Sequence, residues 1–415
     1  MNLAGLIHIA EKAAGDCEKD ISLIVSHNLN KILTAFRKYK ISDLHLQSST
    51  GYGYNDVGRE GLEAVYAEVF QGEEALVRHQ IVSGTHAITL CYFGNLFPGD
   101  ELLTVGKPYD TLHKVIGSNN KEVGTLRELG VKYREFPLEN DGSINLDALI
   151  RAISPETKMV SLQRSKGYQW RPSLTIKEIS EIVQAVKTKW PYIIVFVDNC
   201  YGEFVEDREP LEVGADLIAG SLIKNPGGSI APCGGYIVGR KNLVNRAAAR
   251  LTAPGIGKEI GPSLGNNRLL YQGLFHAPHI VGESLWGAVF TAALCKGVGL
   301  DVMPLPDGER TDIIQAIRMG NRERVIAFCR GIQRYSPIDS HVIPEAWDMP
   351  GYDDQVIMAA GAFVQGSSIE LSADAPMREP YIVYMQGGTS RQHVKLAVSE
   401  TIKEMINSGL FHKPA

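Results

Sequence analysis

Short apolar runs alternate with longer amphipathic stretches across residues 75–240 of this 415-residue chain. Short runs bounded by turn residues predict buried strands, and stretches with a helical period, such as Thr175–Lys189, predict helices. The predicted strands are Leu76–Val82, Glu101–Val105, Lys132–Phe136, Met159–Gln163, Ile193–Asp198, Asp216–Gly220 and Gly235–Val238. Because strands and helices alternate, we expect an α/β fold with a mainly parallel seven-stranded sheet and helices on both faces.

The segments before and after this region follow different patterns. Residues 17–39 carry their apolar side chains on one stripe, which predicts an amphipathic helix, and a second helix is expected at Arg59–Val69. Residues 241–300 favour helices interrupted by glycine and proline. The C-terminal part is expected to contain the strands Val356–Phe363 and Tyr381–Met385 and a final helix near His393–Ser408.

This change of pattern predicts three parts of the chain. We expect an N-terminal helical segment at residues 1–50, a large ligand-binding domain at 51–300 and a smaller α+β domain at 301–415. The N-terminal helix is expected to join the smaller domain.

Composition and charge narrow the class of partner. With 44% hydrophobic residues, 21% charged residues and a net charge of −5, the chain resembles an ordinary soluble globular protein. Nucleic acids and anionic membranes select basic surfaces, so we expect neither as the main partner. No apolar run reaches the roughly 20 residues of a membrane span.

The cysteines and histidines predict no metal site. The six cysteines form no C-x-x-C pair, and the histidines lack the spacing of a ligand set. Scattered cysteines and a first segment without a signal-peptide pattern predict a cytoplasmic location.

Two polar residues follow predicted strands, at the ends where α/β sheets bind ligands. Asp198 ends the apolar run Ile193–Val197, and Lys224 lies three residues beyond Ser221. Pyridoxal phosphate requires a lysine that forms a Schiff base and a carboxylate that keeps the pyridine nitrogen protonated. Burial is expected to lower the pKa of Lys224. Taken singly, Lys224 can be a solvated turn residue and Asp198 a helix cap or turn residue.

Other residues suit the remaining parts of this cofactor. Ser83, Gly84 and Thr85 open an apolar helix after a predicted strand, and backbone N–H groups at a helix N-terminus bind phosphate. The hydroxyl of Ser221 offers a second phosphate contact. Tyr109 follows another strand and can stack on a flat ring. Serine and threonine also cap ordinary helices, and Tyr109 can instead pack against a neighbouring helix.

In this order, the motifs resemble fold-type-I pyridoxal phosphate enzymes, and more narrowly the cystathionine/methionine lyase group. Within that group the chain is similar to the branch of aluminium-resistance, or methionine γ-lyase family, proteins. The resemblance extends over nearly the whole chain and is carried by the segments Ser83–Ile88, Pro108–Thr111, Gln163–Tyr168, Arg171–Ser173, Val197–Asn199, Ser221–Gly228 and Tyr384–Gly388. It implies a carbon–sulfur lyase that releases a thiol, ammonia and a 2-oxo acid from an amino acid of the cystathionine or methionine type.

The resemblance also implies roles for individual residues. Lys224 would hold the cofactor and remove the Cα proton, Asp198 would face the pyridinium, and Tyr109 would stack on the ring and protonate the leaving thiolate. The implied cofactor-binding residues of this subunit are Ser83, Gly84, Thr85, Tyr109, Asp198, Cys200, Ser221 and Lys224.

Several positions depart from the better-known lyases. Cys200 stands where the family has a threonine, and a thiol is a weaker hydrogen-bond donor.

The resemblance also implies a homo-oligomer, either a dimer or a tetramer. Tyr54 and Arg59 would be the residues that a neighbouring subunit contributes to the phosphate site. For the substrate carboxylate, Arg378 is the preferred cation and Gln163 a second contact, although Arg378 can also be a surface arginine.

Two other functions stay open at this point. Transamination, retro-aldol cleavage and γ-replacement use the same cofactor residues, so those residues cannot separate them from elimination. A non-catalytic binding protein on the same fold is the alternative from another class, but it predicts loss of Lys224 or Asp198.

Overall fold

Two β-sheets organise the protein in a computed structural model that describes residues 2–118 and 122–411. The strands of the larger sheet are β1 (Glu74–Arg78), β2 (Glu101–Val105), β3 (Lys132–Phe136), β4 (Thr157–Gln163), β5 (Ile194–Asp198), β6 (Leu217–Ser221) and β7 (Gly235–Gly239). Their order is β1-β7-β6-β5-β4-β2-β3. Strand β7 is antiparallel to both neighbours, and the pairs from β6 to β3 are parallel. The predicted mainly parallel seven-stranded sheet is confirmed.

Helices cover this sheet and continue into the rest of the chain. They are α1 (Leu3–Asp16), α2 (Glu18–Lys38), α3 (Val57–Val69), α4 (Gly84–Asn95), α5 (Asp110–Ile116), α6 (Leu146–Ala152), α7 (Ile176–Lys189), α8 (Lys241–Leu251), α9 (Asn267–Gly297), α10 (Arg322–Arg334) and α11 (Arg391–Asn407). No helix in the described ranges has both the length and the apolar character needed to cross a membrane.

The residues of β5 show why the sequences of these strands are continuous apolar runs. Val195 and Val197 pack into the core on one face of the sheet, and Ile194 and Phe196 pack into the core on the other. A strand buried on both faces has no polar side to display, which is typical of parallel sheets covered by helices.

The carboxyl ends of the central strands lie side by side. Asp198 pairs with Gln163 of β4 and with Ala219 of β6, so β4, β5 and β6 end at the same edge of the sheet. Chain segments that leave these strands therefore converge there, which is where ligands bind in open α/β sheets.

The smaller sheet is antiparallel throughout. Its strands are β8 (Asp301–Met303), β9 (Ile314–Arg318), β10 (Val356–Ala359), β11 (Ser372–Pro376) and β12 (Ile382–Gln386), in the order β10-β11-β12-β9-β8. With α10 and α11 it forms the predicted smaller α+β part. The sequence pattern missed β8, β9, β11 and α10, and the predicted boundaries at residues 50 and 300 stay predictions.

The N-terminal helices connect the two parts. Helix α2 confirms the predicted amphipathic helix, whereas α1 was not predicted. Both helices pack on α9. Ion pairs of Glu11 with Lys395 and of Glu18 with Arg391 also join them to α11. The N-terminal helices therefore contact both α9 and α11, and the predicted division of the chain into domains stays a prediction.

Candidate active site

A cavity of about 230 Å³ lies where the carboxyl ends of β4, β5 and β6 meet β10 and β11 of the smaller sheet. Its walls bring together residues that are distant in sequence. Nine residues singled out from the sequence line it: Ser83, Gly84, Thr85, Tyr109, Gln163, Asp198, Cys200, Ser221 and Lys224. Three others, Tyr54, Arg59 and Arg378, are not among the lining residues.

Asp198 ends β5 and is 8% exposed. Its Oδ1 accepts a hydrogen bond of 3.2 Å from the backbone N–H of Cys200. Burial raises the pKa of this carboxyl, while Lys224 and Cys200 act in the opposite direction. A buried carboxylate of this kind favours a cationic N–H partner, because such a partner offsets the desolvation of its charge.

Lys224 follows β6 and directly precedes the 3-10 turn Asn225–Gly227. Burial lowers the pKa of its amine, but the neighbouring Cys200, Tyr201, Asp198 and Glu203 outweigh burial and raise the pKa above the ordinary lysine value. The expected lowering of the Lys224 pKa is therefore wrong. The sequence showed an apolar setting for this lysine, but not the acidic and phenolic groups that surround it.

Helix α4 directs its N-terminus at the cavity. Its N-cap is Ser83, whose Oγ accepts a hydrogen bond of 3.0 Å from the backbone N–H of His86. A Cβ atom on Gly84 would lie 3.2 Å from Sγ of Cys200 and 3.3 Å from Cβ of Ser221. Only glycine leaves this space open, so backbone N–H groups of the first helical turn can approach an anion closely.

Tyr109 stands at the start of α5, within a cluster of aromatic residues. Its hydroxyl lies 2.7 Å from that of Tyr352, and its ring centroid is 5.4 Å from that of Tyr168. Burial raises the pKa of Tyr109, and Tyr168 and Tyr352 raise it further. The phenol therefore carries its proton at neutral pH and can donate it.

Two buried polar atoms of the cavity wall, Gln163 Oε1 and Ser372 Oγ, have no hydrogen-bond partner among the described residues. Three further polar groups of the wall have only protein neighbours close by, since Tyr168 interacts with Asp374 and Ser368 with Tyr201. Buried polar groups are rarely left unpaired in folded proteins, so this cluster indicates a polar ligand. Together with the helix N-terminus, Asp198 and Lys224, it fits pyridoxal phosphate and an amino-acid substrate.

Asp374 is the most informative lining residue that sequence reasoning missed. It lies on β11 opposite Met358 of β10 and is 7% exposed. Its Oδ2 accepts a hydrogen bond of 2.6 Å from Gln386, and burial raises its pKa to about 7 against the opposing effects of Gln386, Lys224 and Tyr168. A single acid in the stretch Ser372–Pro376 carries no sequence signal that would separate it from a surface residue.

The two residues expected from a neighbouring subunit differ in exposure. Tyr54 is 61% exposed on its loop, whereas Arg59 is 4% exposed. The guanidinium of Arg59 donates to the carbonyl oxygens of Gly53 at 2.6 Å and Gly261 at 2.9 Å. Arg59 thus fixes the loop that presents Tyr54.

Arg378 is engaged by acidic neighbours. Its Nη1 lies 2.7 Å from Oδ2 of Asp354 and 3.6 Å from Oδ2 of Asp110. Among the lining residues that the structure describes, Lys224 is the only lysine or arginine. Nη2 of Arg378 also donates to the carbonyl oxygen of the lining residue Tyr168 at 3.5 Å, so Arg378 lies beside the cavity, and its role at the substrate carboxylate stays a prediction.

Comparisons with known proteins agree with this geometry. The family model described as methionine gamma-lyase matches residues 4–406. The uncharacterized protein YnbB of Bacillus subtilis is 52% identical over 394 residues, 94% of each chain. A solved carbon-sulfur lyase involved in aluminum resistance, from Clostridium novyi, is 48% identical with a TM-score of 0.93, covering 97% of this chain and 96% of that one. A cystathionine gamma-lyase from Lactobacillus plantarum shares the fold, with 16% identity and a TM-score of 0.59 over 84% of this chain and 86% of that one.

Proposed function

The chain belongs to the methionine gamma-lyase family, and from this premise we propose that it is a pyridoxal-phosphate-dependent carbon–sulfur lyase. The observation that carries the proposal is the single cavity lined by Lys224, Asp198 and the N-terminus of α4. The net reaction would be an elimination followed by hydrolysis. A sulfur-containing amino acid and water give a thiol, ammonia and a 2-oxo acid, with no change in overall oxidation state.

The residues of the cavity would hold different parts of the cofactor. Pyridoxal phosphate, when bound, supplies an electron sink that makes the Cα–H bond of an amino acid acidic. Lys224 would hold it covalently and Asp198 would hold the proton of its pyridine nitrogen. Ser83, Gly84, Thr85 and Ser221 would bind its phosphate, and the thiol of Cys200, 5% exposed, would contact it beside Asp198.

Lys224 and Tyr109 would move the protons. Nζ of Lys224 would accept the Cα proton of the substrate. Tyr109 would give its phenolic proton to the leaving sulfur, since burial keeps that phenol protonated. The hydroxyl of Tyr352, 2.7 Å away, would orient the phenol.

The choice among sulfur amino acids is supported by Asp374. The substrate that we favour is of the cystathionine type, because its distal ammonium can pair with the negative charge of Asp374, which Gln386 and Tyr168 engage only as neutral groups. Methionine ends in a methyl group and would offer this buried carboxylate no opposite charge. A site built to hydrogen-bond a substrate group rejects an analogue that lacks it.

A homo-oligomer is part of the proposal. The exposed ring of Tyr54 is free to reach the cavity of a second copy, and its loop is held in place by Arg59. This arrangement supports Tyr54 rather than Arg59 as the residue that one subunit contributes to the other.

All six cysteines are unpaired, which supports the expected cytoplasmic location.

The test is product analysis on the cofactor-loaded enzyme with cystathionine and with methionine. We expect stoichiometric thiol, 2-oxo acid and free ammonia from cystathionine. Conversion of the cofactor to its amine form without free ammonia would instead support transamination and contradict the proposal.

A further inference from the structure

The Nζ of Lys224 lies over the ring of Tyr201, 3.9 Å from its centroid. In the described part of the chain, no hydrogen bond or ion pair engages this Nζ. An ammonium above an aromatic face is stabilised by the ring quadrupole within about 6 Å, most strongly where water is excluded. The ring of Tyr201 is thus the direct contact that the structure provides for the amine.

The backbone of Tyr201 is held in an unusual conformation. Its φ is +74°, in the left-handed region that bulky residues rarely adopt. The carbonyl oxygen of Tyr201 accepts a hydrogen bond of 3.0 Å from Nδ2 of Asn225 and one of 3.3 Å from the backbone N–H of Ile313. Strain of this kind persists only where several contacts fix it, and it concentrates at functional sites.

These contacts tie Tyr201 to the lysine itself. Asn225 is the residue after Lys224, and its Nδ2 also donates to the carbonyl of Glu203 at 3.0 Å. The same side chain therefore fixes the segment that carries Lys224 and the segment that carries the ring. The shared anchor therefore holds the two backbone segments together and keeps the ring of Tyr201 within reach of Nζ.

We propose that Tyr201 is a catalytic residue whose ring face holds the Lys224 ammonium in place after the amine has taken up a proton. This inference rests on the proposed function, in which Lys224 is the base. It requires the ring and not the phenolic hydroxyl, because the ring face is what contacts Nζ. Removing the ring should therefore favour the neutral amine, whereas removing only the hydroxyl should not.

Other titratable groups also face Lys224. They are Asp198, Cys200 and Glu203 on and after β5, and Tyr352 and Asp374 on the side of the smaller sheet. All of them keep their identity when only position 201 is changed. A comparison of variants at that position therefore isolates the contribution of the ring.

The experiment measures how fast cofactor-free protein captures pyridoxal phosphate, followed by visible absorbance at several pH values. Only the neutral amine reacts, so a variant with a less stable ammonium reacts faster at a given pH. We expect Tyr201→Leu to capture the cofactor about tenfold faster than wild type around neutral pH. Tyr201→Asn serves as a second ringless variant, because asparagine tolerates a positive φ.

Tyr201→Phe is the matched control and should capture the cofactor at the wild-type rate. A merely structural role would slow capture in the ringless variants instead of accelerating it. The inference is overturned if both ringless variants capture the cofactor at the wild-type rate or more slowly. It is also overturned if Tyr201→Phe captures the cofactor as fast as accelerated ringless variants do. If Lys224→Ala captures the cofactor as wild type does, the proposed function fails first and the inference fails with it.

Discussion

The Nζ of Lys166 lies 3.1 Å from Oδ1 of Asp312, and each of the two side chains is 1% exposed. Lys166 stands between two residues that line the cavity, Ser165 and Gly167, but its own side chain points away from them. Asp312 lies two residues before β9 and also accepts a hydrogen bond from Ser173. This buried pair joins the loop of the larger sheet that forms one cavity wall to the smaller sheet that forms the other.

Removing the carboxylate of this pair should destabilise the protein. Asp312→Ala leaves the Lys166 ammonium buried without its charge partner, a change that typically lowers the free energy of unfolding by about 3–5 kcal/mol. Urea denaturation measures this change in the free energy of unfolding. Glu156→Ala is the control, since Glu156 forms a pair with Lys132 in which both side chains are more than half exposed, and its loss should change little. Equal stability of the two variants would contradict a joining role for Lys166 and Asp312.

Asp374→Asn should change substrate preference. An amide keeps the size of the side chain but loses the charge that would pair with a distal ammonium. We expect the ratio of kcat/KM for cystathionine to that for methionine to fall about 10- to 100-fold. Steady-state kinetics on both substrates measure the ratio. An unchanged ratio would remove the argument for cystathionine.

Asp374 should also make the KM for cystathionine depend on pH. The pKa of Asp374 is raised to about 7 by burial, so its carboxylate becomes charged as pH rises through about 7. The KM for cystathionine should therefore fall over this range in wild type and stay flat in Asp374→Asn. A KM that falls equally in both proteins would assign the titration to another group.

Glu203 should make stability depend on pH. This side chain is fully buried, its Oε1 accepts from Tyr236 at 2.7 Å, and burial raises its pKa to about 8. Because its folded pKa lies above the unfolded value, its stabilising contribution is complete below the unfolded pKa and is lost as pH rises through about 8. Relative to Glu203→Gln, wild type should lose about 3–5 kcal/mol of unfolding free energy between about pH 5 and pH 8. Glu345→Gln, at a side chain that is 80% exposed, should show no such difference.

Gly84→Ala should weaken cofactor binding. The added methyl would press against Cys200 and Ser221 at 3.2 and 3.3 Å and narrow the space at the N-terminus of α4. We expect the Kd for pyridoxal phosphate to rise about tenfold or more, equivalent to about 1.4 kcal/mol. Gly15→Ala is the control, since no atom lies within 4 Å of its new methyl group. Equal affinity in all three proteins would argue against phosphate binding at this helix.

The larger sheet could be predicted from the sequence because its strands are buried on both faces. A continuous apolar run such as Ile193–Val197 is typical of a strand that helices cover on both faces of a parallel sheet. Strand β11 escaped prediction for the opposite reason. Its sequence, Ser372 to Pro376, alternates small and polar residues and ends in proline, so β propensity is low and only pairing with β10 and β12 defines the strand.

The candidate site also contains residues that the sequence could predict and residues that it could not. Asp198 and Lys224 follow apolar runs, so their place at the edge of the sheet could be predicted. The sequence could not predict the surroundings of Arg378, because its guanidinium pairs with Asp354 and Asp110. Ion pairs between residues that are distant in sequence leave no local pattern.

The most direct test of the central claim is borohydride reduction of the cofactor-loaded protein followed by peptide mass mapping. Borohydride fixes the bond between the cofactor and the amine that holds it. The cavity geometry predicts that the added mass is found on the peptide containing Lys224, and that Lys224→Ala protein carries none. The added mass on any other lysine, or an unmodified Lys224 in a fully loaded protein, would contradict the account.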